Sequence, residues 1–192
     1  MSVMKELFYP FSEAAVKALR AGDTVRISGL VYTGRDRLHK HLAEGGKCPV
    51  QLRDGAIFHC GPVTVRDGDG WRVAAAGPTT SIREEPYMAS IIGKYGVRVV
   101  IGKGGMGKQT LAACREFGCV YLQAVGGAAA LLAKRIRRVD GVDFLDEFGA
   151  TEALWHLTLD GLETVVGMDA HGNSVYDEVR RDSEQRLREL IG

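Results

Sequence analysis

The chain has 192 residues, of which 45% are hydrophobic and 26% charged, enough for one sizeable domain with its own hydrophobic core. Its formal net charge of +1 excludes an overall field that would draw it to nucleic acid or to a membrane surface. The longest apolar runs, such as 126–133, are far shorter than a membrane span, and the first residues lack the basic stretch and apolar core of a signal peptide, so we expect a cytoplasmic protein.

The first half of the chain predicts two short helices and three strands. Ser12 stands before the first helical stretch and is placed to act as its N-cap. Pro62 and the turn sequence DGDG at 67–70 separate the last two strands. In chain order we expect a helix at 11–20, a strand at 23–30, a helix at 35–43, and strands at 56–60 and 72–76.

The second half predicts alternating helices and strands. A helix at 84–95 should end at Gly96, which favours a left-handed cap. Strands at 97–101 and 119–125 are almost continuously apolar, which is typical of strands covered on both faces. This alternation favours right-handed crossovers and a mainly parallel sheet. The remaining expected elements are helices at 109–117 and 128–138, strands at 153–159 and 164–169, and a charged helix at 177–190.

The four cysteines, Cys48, Cys60, Cys114 and Cys119, are spaced by 12, 54 and 5 residues and form no CxxC pair. That spacing supports neither a closed zinc site nor a ferredoxin-type cluster, and a reducing cytosol disfavours a disulfide. We therefore predict that the cysteines are small core residues and that this chain by itself binds no metal.

The sequence GKGGMG at 102–107 follows a buried strand and precedes a helix. It matches the GxGxxG pattern of dinucleotide sites, but the next strand ends in Gln123, where an acidic residue would be expected. It also approaches a nucleoside-triphosphate loop, but Gln109 stands where Ser or Thr would bind magnesium. Nucleotide chemistry is therefore a weaker reading than a simple anion site.

An anion site needs only exposed N–H groups and positive charge. A glycine-rich turn at a helix N-terminus offers backbone donors, here at Gly102, Gly104 and Gly105, and Lys103 adds a cation. The alternative is a tight turn that binds nothing.

Two further loops, 33–36 and 77–83, also join a strand to a helix, and each carries an arginine, Arg35 or Arg83. Ligands of open α/β folds bind beyond the carboxyl ends of the strands, and arginine binds carboxylates through a planar fork. Three cation-bearing loops together predict a site for a small dicarboxylate or hydroxy-diacid.

The histidines provide weaker signals. His39 and His41 are two apart on a helix and cannot comfortably share one metal, so both are read as ordinary polar residues. Of the two, His39 is the better candidate for a supporting partner of the site. His171 is expected in a turn.

Five motifs occur in one order: GRDRLHKHL, FHCGPV, GPTTSIRE, VVIGKGGMG and WHLTLDGLETVVGMDAHGN. Together they resemble the β subunit, or C-terminal domain, of the class I fumarate hydratase and L-tartrate dehydratase family. The resemblance covers about 23–173. It implies an α/β fold, namely a three-layer β/β/α swivelling domain with a parallel central sheet and a second antiparallel sheet. We expect one domain over 1–192, with a C-terminal helix at about 177–190.

The resemblance also implies a function and a partner. The expected reaction is the reversible hydration of fumarate to malate, with the β subunit of an L-tartrate dehydratase as the alternative. A four-iron, four-sulfur cluster would be held by three cysteines of an α subunit, and the assembly would be a higher oligomer. An alternative of another class is a stand-alone anion-binding or regulatory module.

Four positions match the family's functional residues. The resemblance implies that Arg35, Arg83 and Lys103 bind the substrate and that Thr79 is the catalytic base. Thr80 is instead expected, together with Ser81, to cap the helix that begins near residue 84.

Overall fold

The computed structural model describes residues 3–191, which form nine strands, seven α-helices and one short 3-10 helix at Ser81–Glu84. The strands are β1 Lys5–Phe8, β2 Thr24–Thr33, β3 Ala56–Phe58, β4 Val63–Asp67, β5 Gly70–Ala75, β6 Val99–Gly102, β7 Val120–Gln123, β8 Ile136–Asp143 and β9 Leu154–Met168. The helices are α1 Glu13–Lys17, α2 Asp36–Ala43, α3 Glu85–Tyr95, α4 Lys108–Phe117, α5 Ala129–Ala133, α6 Leu145–Phe148 and α7 Val175–Ile191.

Seven of these strands form one mixed sheet in the order β1-β2-β3-β6-β7-β9-β8. Strands β1, β2, β3, β6 and β7 run parallel to one another, whereas β9 runs antiparallel to β2, β7 and β8. Because β2 also pairs with β9, the strands β2, β3, β6, β7 and β9 close into a barrel. The predicted α/β class is confirmed, with the parallel strands side by side.

The antiparallel strands are distributed differently from the expectation. Three of the four antiparallel strand pairings belong to the main sheet, and the separate antiparallel sheet contains only β4 and β5. The predicted strands at 153–159 and 164–169 are one continuous strand, β9, which turns at Gly161 with a φ of 68°. Its length lets one strand pair with β2 and β8 in its first half and with β2 and β7 in its second.

The predicted helix at 128–138 is wrong in its second half. Helix α5 ends at Ala133, and strand β8 begins at Ile136, which pairs with Leu159 of β9. The first half of β9 has an unpaired edge without β8. Pairing with that edge therefore outweighs the local helix propensity of the segment that begins at Ile136. Strands β1 and β4 were not predicted, since both are short and mostly exposed.

The local signals of the other helices are confirmed. The Ser12 hydroxyl accepts a hydrogen bond of 3.2 Å from the Ala15 N–H and caps α1. Helix α3 ends at Gly96, whose φ of 69° is left-handed, as the glycine predicts. Helices α2, α4 and α7 each lie within two residues of the predicted bounds.

Two hydrophobic clusters cover the two faces of the parallel strands. Phe58, Ile101 and Leu122 belong to one cluster, together with residues of β9 and α1. Ile57 and Val100 belong to the other, under helices α2, α3 and α4. Each fully buried side chain of this size contributes about 1.5–3 kcal/mol to the free energy of unfolding. This two-sided burial confirms the interpretation of the apolar strands.

The cysteines are free thiols, with Cys60, Cys114 and Cys119 buried and Cys48 half-buried. Burial raises the pKa of the Cys60 thiol to about 12, so it stays neutral and packs as a small apolar residue.

Among residues 3–191, no helix combines the length and the apolar character that crossing a membrane requires.

Candidate functional site

The carboxyl ends of β2, β3, β6 and β7 meet at one edge of the sheet because these neighbouring strands are parallel. The segment that leads into the 3-10 helix joins the same edge. The Thr79 N–H donates to the His59 carbonyl after β3 at 2.7 Å, and the Ser81 N–H donates to the Lys103 carbonyl after β6 at 3.0 Å. The structure thus brings Thr79 and Lys103, two of the predicted site residues, onto directly connected backbone.

Arg35 follows β2 and occupies the N-cap position of α2. Its side chain lies against Gly61, where an added Cβ would be 3.0 Å from the Arg35 Cδ and 2.5 Å from the Thr151 carbonyl oxygen; the backbone contact requires a glycine there. Its Nε atom is 3.5 Å from Oε1 of Glu152. The Arg35 carbonyl is 2.8 Å from Nδ1 of His39, so the imidazole lies against the backbone of the arginine.

Arg83 lies in the 3-10 helix, and half of its side chain is exposed (52%). It forms an ion pair with Asp36, the first residue of α2. Both predicted substrate-binding arginines therefore lie at the start of α2, each near a carboxylate of its own chain. A ligand carboxylate has to compete with these internal partners or add to them.

Lys103 is half-buried, and its side chain runs beside Gly126, where an added Cβ would be 3.4 Å from the Lys103 Cδ. Within residues 3–191 its ammonium forms no ion pair with an acidic side chain, unlike Arg35 and Arg83. It is the most available of the three predicted cations for an anionic ligand.

The two neighbouring threonines differ in exposure, since Thr79 is half-buried and Thr80 is exposed. The expected capping role of Thr80 is wrong, because in the described part of the chain its side chain makes no capping hydrogen bond. Helix α3 begins at Glu85 after a 3-10 turn and carries Pro86 in its first turn. Because proline has no backbone N–H, one donor fewer in the first turn of α3 needs a capping acceptor.

The N-terminus of α4 is already occupied by a carboxylate of this chain. Glu85 accepts hydrogen bonds from the N–H groups of Gly107, Gln109 and Thr110 at 2.7, 3.0 and 3.2 Å. The Thr110 hydroxyl adds a fourth bond of 2.6 Å. Glu85 therefore satisfies these three donors, and an external anion would have to displace its carboxylate to bind them.

The glycines of the loop have packing reasons of their own. A Cβ at Gly102 would lie 1.8 Å from the Ser81 Oγ. The Gly105 N–H donates to the Tyr121 hydroxyl at 3.3 Å, and Gly104 and Gly105 both have left-handed φ values, of 79° and 81°. Among these three predicted backbone positions only Gly104 is exposed.

A buried polar cluster lies under this edge, and sequence patterns alone did not identify it. His39, His59 and Glu84 have no exposed side-chain surface. Burial lowers the pKa of His39 to about 4 and that of His59 well below its usual value, with the charge of His39 adding to the second shift. Burial raises the pKa of Glu84 to about 8; Asp36 adds to that shift, whereas Arg83 opposes it. All three groups are therefore neutral near pH 7.

Several atoms of this cluster lack partners. Within the described residues, both Glu84 oxygens and the Nε2 atoms of His39 and His59 make no hydrogen bond. The two imidazole rings meet edge to face, with centroids 4.9 Å apart. The motif FHCGPV could have drawn attention to His59, because it places a polar residue directly after a buried strand.

His171 lies apart from this site. It follows β9, whose last residue Met168 pairs with Tyr121 near the start of β7, at the opposite edge. Its Nε2 atom is 2.8 Å from the Lys17 carbonyl at the end of α1. His171 thus has a structural position in a turn, in agreement with the expectation.

The structure is thus an α/β domain in which the segments that carry Arg35, Arg83 and Lys103 meet at the carboxyl ends of the parallel strands. The sequence profile described as "Fumarase C-terminus" matches residues 4–179, and the chain therefore belongs to this family.

Named relatives agree with this membership. The chain is 51% identical over 179 residues to "Putative fumarate hydratase class I" of Geobacillus stearothermophilus, and the match covers 93% of this chain. It is 40% identical over 194 residues to "Putative L(+)-tartrate dehydratase subunit beta" of Methanocaldococcus jannaschii, and 34% identical over 189 residues to "L(+)-tartrate dehydratase subunit beta" of Escherichia coli.

Coverage differs between these relatives. The chain spans only 34% of the length of the Geobacillus protein. It spans 100% of the Methanocaldococcus protein and 94% of the Escherichia coli protein, with 98% and 97% of this chain matched. The family predicted from the motifs is confirmed.

Proposed function

We propose that this chain is the β subunit of a hydro-lyase that reversibly hydrates fumarate to malate together with an α subunit. The observation that supports the proposal is that Thr79 and Lys103 lie on hydrogen-bonded backbone segments at the carboxyl ends of the parallel strands. The start of α2, with Arg35 and the Arg83–Asp36 ion pair, lies at the same ends of these strands. The 51% identity to a protein named as a class I fumarate hydratase supports fumarate as the substrate.

The cations account for binding and for part of the chemistry. Lys103, which has no acidic partner in the described chain, would hold one carboxylate of the substrate, and the forks of Arg35 and Arg83 would orient it. When the proton leaves the carbon next to this carboxylate, negative charge develops on the carboxylate oxygens. Fixed positive charges at that position stabilise the transition state more than the ground state.

Thr79 is the proposed base for that proton. A threonine hydroxyl is a poor base unless its alkoxide is favoured, and adjacent positive charges act in that direction. Its half-buried side chain and the hydrogen bond from its N–H to the His59 carbonyl support a fixed orientation. The acid that protonates the departing hydroxyl would come from the partner chain.

The residues of this chain do not fit the iron–sulfur cluster that the family resemblance implies. Three of its four cysteines are buried, and within residues 3–191 no three His, Cys, Asp or Glu side chains are grouped to hold a metal ion. We therefore propose that the α subunit carries the cluster, and we derive no step of the reaction through it.

A second candidate is the β subunit of an L-tartrate dehydratase. It is favoured by relatives of that name that match this chain over nearly their whole length. Tartrate and malate share the carboxylates that the three cations would bind, so this edge is compatible with either substrate. A stand-alone anion-binding or regulatory module is the candidate of another class.

We further propose a single domain over residues 1–192 with a three-layer β/β/α arrangement, a cytoplasmic location and a higher oligomer. The free thiols support the location, because they suit a reducing compartment.

The deciding experiment is coexpression with a cysteine-bearing partner chain, anaerobic cluster reconstitution, and assays with malate, fumarate and both tartrates. We expect interconversion of malate and fumarate by the complex, and a colourless, inactive product when this chain is purified alone. Turnover of tartrate only would establish the second candidate. Iron–sulfur absorbance with turnover from this chain alone would contradict the two-chain enzyme.

A further inference from the structure

The Ser81 hydroxyl forms the centre of a buried hydrogen-bond network next to the proposed site. It has no exposed surface, and its Oγ lies 3.0 Å from Nδ1 of His59, 3.0 Å from the Tyr121 hydroxyl and 3.2 Å from the Lys103 N–H. A serine hydroxyl has one proton and two lone pairs. Tyr121 and Lys103 donate to the lone pairs, so the only proton of Ser81 is left for His59.

This count assigns the state of the imidazole. With Tyr121 and Lys103 as the donors, His59 accepts at Nδ1 and carries its own proton on Nε2, where the described residues offer it no hydrogen-bond partner. This is the neutral form of the imidazole. Burial supports the assignment, because it lowers the pKa of His59 well below its usual value. A protonated His59 would present a second N–H at Nδ1, and Ser81 would have to give up one of its other two partners to accept it.

The network joins the two groups on which the proposed chemistry depends. Ser81 holds Lys103 twice, through its Oγ and through its own N–H to the Lys103 carbonyl at 3.0 Å. His59 holds Thr79 through its carbonyl, at 2.7 Å from the Thr79 N–H. Gly102 permits this close approach, since a Cβ there would be 1.8 Å from the Ser81 Oγ.

We propose that Ser81 is a positioning residue that fixes the proposed base Thr79 relative to the Lys103 ammonium, with His59 as the required acceptor. This inference rests on the proposed function. Ser81 does not touch the substrate; it acts through the two backbone segments that it joins. Displacing reacting groups by about 1 Å can reduce a rate by about a hundredfold, so the network affects turnover more than binding.

The first test is Ser81→Ala in the reconstituted complex with the α subunit. We expect kcat to fall by about 10–100-fold with KM within about threefold, because the cations remain to bind the carboxylate. The matched control is Thr164→Val, which also removes a buried hydroxyl. That hydroxyl donates to the Val25 carbonyl near the start of β2, away from the carboxyl ends of the parallel strands. The control variant should lower the thermal midpoint of the complex by a similar amount and leave kcat unchanged.

The second test compares two variants at the acceptor. His59→Asn places Oδ1 near the former Nδ1 and keeps an acceptor for the Ser81 proton, whereas His59→Leu removes it. We expect the Asn variant to retain about a third or more of the wild-type kcat and the Leu variant to match Ser81→Ala. This pair decides the question if Ser81→Ala does not fold.

The outcomes separate the two proposals. A wild-type complex without hydro-lyase activity would overturn the proposed function and this inference with it. An active wild type with kcat unchanged in Ser81→Ala would overturn the positioning role alone. Equal losses of kcat in Ser81→Ala and Thr164→Val, or in the two His59 variants, would show a purely structural role for the network and overturn the inference as well.

Discussion

The Glu85 carboxylate caps the neighbouring helix α4, with its Oε2 accepting a hydrogen bond of 2.7 Å from the Gly107 N–H. A glycine-rich turn that ends in a helix is usually read as a site for a ligand's phosphate or carboxylate. Here the ligand-like carboxylate belongs to the protein. Glu85 thus satisfies the N–H groups and the positive dipole end of α4. Lys103 remains as the group of this loop suited to an external anion.

We predict that Glu85→Ala destabilises the protein by about 1–3 kcal/mol, because three N–H groups at the start of α4 and the Thr110 hydroxyl lose their acceptor. Urea unfolding of the isolated chain measures this free energy. The control is Glu116→Ala, an exposed position of the capped helix α4, which should change the free energy of unfolding by no more than about 0.5 kcal/mol. Equal stability of the two variants would contradict the cap.

Lys103→Ala is predicted to cost at least about 2–3 kcal/mol of transition-state stabilisation in the complex, measured as the ratio of kcat/KM values. Arg83→Ala should have a cost of the same order. Folding should change little, since both residues lie in connecting segments at the strand edge. The control is Lys108→Ala, because Lys108 is exposed and lies five residues after Lys103. This variant should keep wild-type kinetics. Wild-type kinetics in either test variant would remove that residue from the site.

Thr79→Ala is predicted to abolish turnover and leave substrate affinity within about tenfold, because the cations still bind the carboxylate. Thr79→Ser keeps the hydroxyl and should retain measurable activity. The neighbouring exposed residue offers the control: Thr80→Ala should keep its activity and change stability by no more than about 0.5 kcal/mol. Loss of activity in Thr80→Ala with normal turnover in Thr79→Ala would reverse the assignment.

The buried cluster predicts a specific dependence of stability on pH. The pKa of Glu84 rises from 4.5 to about 8 on folding, so the folded state holds a proton that the unfolded state releases. Stability from this group therefore falls as pH rises from about 4.5 to 8. For His39 the pKa falls from 6.5 to about 4, so its contribution to stability rises with pH and is complete above about 6.5.

Between pH 6.5 and 8 the contribution of His39 to stability no longer changes with pH, whereas that of Glu84 still does. Unfolding of the wild-type chain in urea should show a falling free energy across this window. Glu84→Gln, which cannot ionise, should flatten the fall, whereas Glu116→Gln should not. A slope that persists unchanged in Glu84→Gln would show that Glu84 is ionised in the folded protein.

Local sequence signals predicted the elements whose stability depends on near neighbours. Ser12 and Gly96 mark helix ends because capping is decided within a few residues of the chain. The apolar runs of β6 and β7 predicted burial on both faces, because the residues at 99–101 and 120–122 alternate between the two hydrophobic clusters. The motif resemblance supplied the four site positions, and the adjacency of parallel strand ends explains why their loops share one edge.

Only the tertiary structure decided the features that join distant parts of the chain. The barrel closes because β9 pairs with both β2 and β7, and the segment beginning at Ile136 became a strand because β9 offered it an open edge. Glu85 meets the start of α4, and Ser81 meets Lys103, across about twenty residues of sequence that carry no periodic signal for either contact. Composition and pattern determine which residues are apolar, charged or turn-forming, whereas the pairing of buried polar groups depends on the positions that the closed sheet imposes on them.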